Sequence, residues 1–88
     1  MQRYFFHVSD GTELPDVDGK LLPDLRAARR HAAALLGRLM SEAPDDIWEG
    51  VDWQVVVKDQ RGLHLLSIHI VTVQSAIGRA SASFSRPH

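Results

Sequence analysis

Along the first residues of the chain, Tyr4, Phe6 and Val8 fall on one side of an extended segment. Arg3, Phe5, His7 and Ser9 fall on the other, and this alternation predicts a strand over residues 2–9. Asp10-Gly11 is a turn signal, because glycine accepts a positive φ without steric cost. Residues 12–22 then predict a second, irregular strand paired with the first, with a further turn at Asp18-Gly19. Pro15 belongs at an edge or bulge of such a strand, since it has no N–H to donate to a ladder.

Pro23-Asp24 opens a helix, with Asp24 as the N-cap whose carboxylate accepts from the free N–H groups of the first turn. Leu25, Ala28, Ala32, Leu35, Leu36, Leu39 and Met40 recur at spacings of three and four and fill one arc of the helix. Arg26, Arg30, Ala33, Ala34, Gly37 and Ser41 fill the opposite arc, and Arg29 sits at the margin. Pro44 disfavours helix in the residue before it, so the helix is expected to end near Glu42–Ala43.

Residues 44–50 read as an acidic loop. Val51, Trp53, Val55 and Val57 then alternate with Asp52, Gln54, Val56 and Lys58, the pattern of a half-buried strand. After a tight turn at Asp59-Gln60-Arg61-Gly62, residues 63–73 predict a last strand. The expected hairpin register sets Val57 opposite His64, Val55 opposite Leu66, Trp53 opposite Ile68 and Val51 opposite Ile70. The more apolar residues of both strands then share one side, and a one-residue slip would destroy that match. The fold class that follows is α+β: a ββαββ chain forming an antiparallel sheet with one helix packed on one face. Residues 1–73 form its single compact domain, and residues 74–88, rich in Ser and Ala and without periodicity, are expected to be a flexible tail.

Composition narrows the function. A chain of 88 residues has room for one domain with a thin core. Ten Lys and Arg against eleven Asp and Glu leave a net charge of −1, unlike a polycation built for DNA. The absence of cysteine excludes disulfides, thiolate chemistry and Cys-ligated zinc. The start has neither the form of a secretory leader nor the apolar length of a membrane span, so a cytoplasmic location without membrane association is expected. No GxGxxG, Walker loop, GxSxG or HExxH is present, and no cofactor and no catalytic residue are expected.

One helix covers one face of a sheet. The other face is expected to carry Arg3, Phe5, His7, Gln54, Val56, Lys58, Leu65, Ser67, His69 and Val71. That set is too apolar for an indifferent surface and too polar for a core, and an apolar patch with a polar rim marks an interaction site. Self-association as a homodimer, through this face or a sheet edge, is the expected use.

The charged residues are segregated. From Leu25 to Ser41 there are four arginines, one histidine and no acid. Arg26, Arg29, Arg30 and Arg38 are therefore candidates for phosphate contact, and a nucleic-acid-binding regulator is the alternative expectation. A remote third is a metal-assisted hydrolase built on His7, Asp52 and His69, because the expected register sets His69 opposite Asp52. Asp16-Val17-Asp18-Gly19 resembles a fragment of a calcium loop but lacks its remaining ligands and spacing, so turn chemistry is expected there. Glu42, Asp45, Asp46, Glu49 and Asp52 read as a solvated acidic cluster.

The opening M-x-R-Y-F-F-H-V, the following D-G, and Leu22-Pro23-Asp24-Leu25 with Ala28-Arg29 on the helix resemble a group of small bacterial proteins of unknown function. The resemblance runs over about residues 1–73 and implies a compact bacterial cytosolic domain. It supplies no catalytic residues, and the tail of this chain departs from the short ending usual in the group. Tyr4, Phe6 and Asp24 have structural reasons to be where they are. Arg3, Phe5 and His7 have none from the core or the helix, and they point to the open face.

Overall fold

A computed structural model describes residues 1–10, 12–48 and 52–77. The strands are β1 (Gln2–Ser9), β2 (Glu13–Leu14), β3 (Lys20–Leu22), β4 (Trp53–Lys58) and β5 (His64–Ile70), with one helix, α1 (Leu25–Glu42). They form one antiparallel sheet in the order β2-β1-β4-β5, with β3 also paired to β1. This is the expected α+β arrangement with one helix, but the second strand of the sequence pattern is divided. Val8 pairs with Leu14 and Arg3 with Leu21, and between these pairings the chain leaves the ladder at Pro15, which cannot donate to it.

Helix α1 starts where its cap requires. The Asp24 carboxylate accepts from the Ala27 N–H at 2.8 Å, and the helix ends one residue before Ala43, whose N–H returns to the Leu39 carbonyl. Ala28, Ala32 and Leu36 are buried, and the two alanines let the helix backbone approach the sheet closely. Against them lie Tyr4 and Phe6 of β1 and Trp53, Val55 and Val57 of β4. Val55 and Val57 are wholly buried, each worth roughly 1.5–3 kcal/mol relative to exposure. A short 3-10 helix, Asp46–Trp48, adds Ile47 to this core, and the Thr72 hydroxyl donates to the Ile47 carbonyl at 2.8 Å. Leu25 was expected inside and is exposed, as the first residue of α1.

The β4–β5 register differs from expectation by two residues. Val57 pairs with Leu66, Val55 with Ile68 and Trp53 with Ile70. Two local causes produce this. The turn closes over three residues: the Gly62 N–H donates to the Asp59 carbonyl, the Asp59 N–H to the Leu63 carbonyl, and Gly62 takes a φ of 79°. Lys58 then pairs with His64, so Leu65 is an extra residue without a partner, a bulge next to the turn. Each cause shifts the pairing by one residue. Together they restore the parity, so Leu66, Ile68 and Ile70 still pack on the core side as expected.

Candidate functional site

On the face of the sheet away from α1, the register brings Phe5 opposite Lys58, His7 opposite Val56, and Ser9 opposite Gln54. On the other flank of β4, Gln54 faces His69 and Val56 faces Ser67. His7, Gln54, Val56 and Lys58 are half-buried and line a groove of about 270 Å³ together with Ser9, Glu13 and Pro15. His69 and Val71 are exposed.

Three expected features of this face change. Leu65 packs against the core cluster, because the bulge turns it out of the alternation. His69 stands opposite Gln54 rather than Asp52, and Asp52 precedes β4 as an exposed residue, so the carboxylate and imidazole of the hydrolase reading are not set as a cross-strand pair. Phe5 is half-buried rather than bare. The chain crosses beside its ring at Gly19, where an added Cβ would lie 2.9 Å from Phe5 Cε2 and 2.9 Å from Arg3 Cγ.

The segment that covers Phe5 is held by Asp16. Its carboxylate accepts from the Phe6 N–H at 3.1 Å and from the Gly19 N–H at 3.0 Å. Its own N–H donates to His7 Nδ1 at 3.0 Å, so the ring proton of His7 sits on Nε2. The Arg3 guanidinium donates to the Asp18 carbonyl at 2.8 Å. Burial pushes the Asp16 carboxyl up. The N–H donors of Gly19, Phe6 and Asp18 together outweigh burial and hold it below its ordinary value. The Asp-x-Asp-Gly segment thus performs turn chemistry, as expected. Its additional task, replacing a strand between β2 and β3, was visible only as an acid following Pro15.

Arg26, Arg29, Arg30 and Arg38 are exposed along α1. Arg26 and Arg30 border a shallow depression at the start of the helix with Leu22, Asp24 and His31, so the capping carboxylate stands among the basic groups. Among the described residues the ion pair is Arg61–Asp59, at 3.2 Å. His31, which the helix pattern assigned to neither arc, stands edge-on to the Phe6 ring with centroids 4.5 Å apart. Burial pushes its imidazole below the ordinary value, Lys20 and Arg38 add to this, and Asp16 opposes it. Among the described residues, no group of three His, Asp or Glu is placed to hold a metal ion, and no helix is long and apolar enough to cross a membrane. Glu42, Asp45, Asp46 and Asp52 are exposed, while Glu49 and residues 78–88 of the expected tail lie outside the described residues.

The outer edge of β5 carries no strand among the described residues. On the core side of that edge, Leu66, Ile68 and Ile70 are only half-buried, whereas Val55 and Val57 of the neighbouring strand are wholly buried. The single helix covers the centre of the sheet and leaves this flank partly open.

The family model described as Domain of unknown function (DUF6894) matches residues 3–72, almost the whole described fold. No curated protein and no solved structure matches the chain.

Proposed function

The chain belongs to the DUF6894 family, whose description assigns no function, and from the geometry of its sheet we propose that it is a small non-enzymatic interaction or regulatory module that works as a homodimer in the bacterial cytoplasm. The observation that carries this reading is apolar surface in excess of what one helix covers. Leu66, Ile68 and Ile70 are half-buried on the core side, and Val71 is 77% exposed beyond the end of β5. A core this thin gains stability from a partner by mass action. Sedimentation equilibrium of the full chain from about 1 µM upward tests it. The expected result is a mass that rises from one chain to two; a single-chain mass up to millimolar concentration refutes the proposal.

A second reading rests on a separate observation. Arg26, Arg29, Arg30 and Arg38 are exposed on one helix and form no ion pair among the described residues. A nucleic-acid-binding regulator would use them on phosphates. It requires binding at low salt that weakens as salt rises and with Arg26→Ala/Arg30→Ala. The acid at Asp24 inside this cluster, and the net charge of −1, make it the weaker of the two.

A further inference from the structure

We infer that the partner surface is the outer edge of β5, and that its occupant is β5 of a second copy, joined antiparallel so that two sheets become one. This rests on the homodimer reading and names its interface.

A strand at a sheet edge presents unpaired N–H and C=O groups, and proteins that must remain single blunt such edges with charge, proline, bulges or a covering element. β5 has its bulge at Leu65, next to the turn, and from Leu66 to Ile70 it has no Lys, Arg, Asp, Glu or proline, and no strand among the described residues covers it. From Gly62 to Ile77 the sequence contains no Asp, Glu, Lys or Arg. The opposite edge of the sheet is treated differently: β2, Asp16 and β3 occupy it, with Glu13 and Lys20 among their residues.

Three properties select a second copy over a foreign strand. The first is symmetry. An antiparallel pair about a two-fold axis perpendicular to the sheet sets residues of equal parity opposite one another. Leu66, Ile68 and Ile70 therefore meet their counterparts on the core side, and Ser67 and His69 meet theirs on the open side. The second is charge. The edge offers a charged partner no counter-charge, while a copy of itself brings no like charge from Lys, Arg, Asp or Glu. The third is the core. The same axis places both α1 helices on one side of the joined sheet, so the half-buried flank of each copy continues into that of the other. The affinity comes from main-chain hydrogen bonds, as in β-strand addition generally, with the apolar row fixing the register.

Amide hydrogen exchange across a dilution series, together with two variants, tests the inference. In the concentrated sample the alternate β5 amides that point away from β4 are expected to exchange at least tenfold more slowly than in the dilute one. Ser67→Lys/His69→Lys sets like charges against each other across the axis. It is expected to raise the dimer dissociation constant at least tenfold with an unchanged circular dichroism spectrum. Val56→Lys, on β4 away from the edge, is expected to leave the constant within about twofold. A wild-type chain that stays single at every concentration overturns the homodimer reading itself. A dimer whose β5 amides gain no protection, or one dissociated by Val56→Lys, overturns the edge and leaves the homodimer intact.

Discussion

Along β1 the sheet ends in two short strands and a carboxylate; along β5 no strand follows among the described residues. The β1 edge is short of strand between Tyr4 and Val8, where neither β2 nor β3 reaches, and there Asp16 accepts the Phe6 N–H that a strand carbonyl would otherwise take. The β5 edge has no such substitute among the described residues, and its flank of the core is the less buried one. An edge that is closed by side chains belongs to the folding of one chain. An edge left open and uncharged is available for assembly.

The sharpest way to break this contrast is to open the closed edge. Asp16→Ala removes the acceptor of both Phe6 and Gly19, and is expected to cost about 2–4 kcal/mol of folding stability in urea unfolding. Asp16→Asn keeps one acceptor oxygen and is expected to lose about half of that. If Asp16→Ala unfolds at the wild-type midpoint, the clasp has no structural weight and the two edges do not differ as described.

A smaller effect comes from the two glycines with positive φ. Gly19, at 72°, has Phe5 and Arg3 against the position of an added Cβ, whereas Gly62, at 79°, has nothing within 4 Å. Gly19→Ala is expected to cost about 2–3 kcal/mol, backbone strain plus displacement of the Phe5 ring, and Gly62→Ala about 1–2 kcal/mol from strain alone. Equal losses would mean that the segment beside Phe5 is not closely packed.

The smallest effect is on the pH dependence of stability. His31 and Asp16 are both held below their ordinary values, so each favours the folded state above its ordinary pKa and withdraws that contribution as the pH falls toward its folded pKa. Stability is expected to decline first just below the ordinary imidazole range, through His31, and again below the ordinary carboxylate range. Asp16 contributes to the second decline together with Asp59, which the Leu63 N–H holds low despite some burial, with further help from Arg61. In urea unfolding across pH, His31→Phe should remove the first decline, and Asp16→Asn should reduce the second. A His31→Phe profile that matches the wild type near pH 6 would contradict the assignment.

Faces were legible in the sequence where hydrophobic parity sets them. Tyr4, Phe6, Trp53, Val55, Val57, Leu66, Ile68 and Ile70 all lie on the side that their alternation predicts. Parity does not see a bulge paired with an odd-numbered loop, so the register slipped by two residues while the faces held. That slip moved His69 from Asp52 to Gln54 and turned Leu65 inward. The helix and its cap were legible because Asp24 and Pro44 act within a few residues of themselves. The clasp was not, because the partners of Asp16 are Phe6 and His7, ten and nine residues away, and no local pattern links a turn acid to a strand N–H. The charge gap from Gly62 to Ile77 was visible as composition, but it becomes an uncharged edge only once β5 is known to be the outermost strand among the described residues.

The most direct measurement is an isotope-filtered NOE experiment on a mixture of labelled and unlabelled chains, which records contacts only between copies. Contacts from Leu66, Ile68 and Ile70 of one chain to the same strand of the other are the predicted result. Intermolecular contacts confined to Phe5, His7 and Val56 would place the interface on the open face and contradict the account.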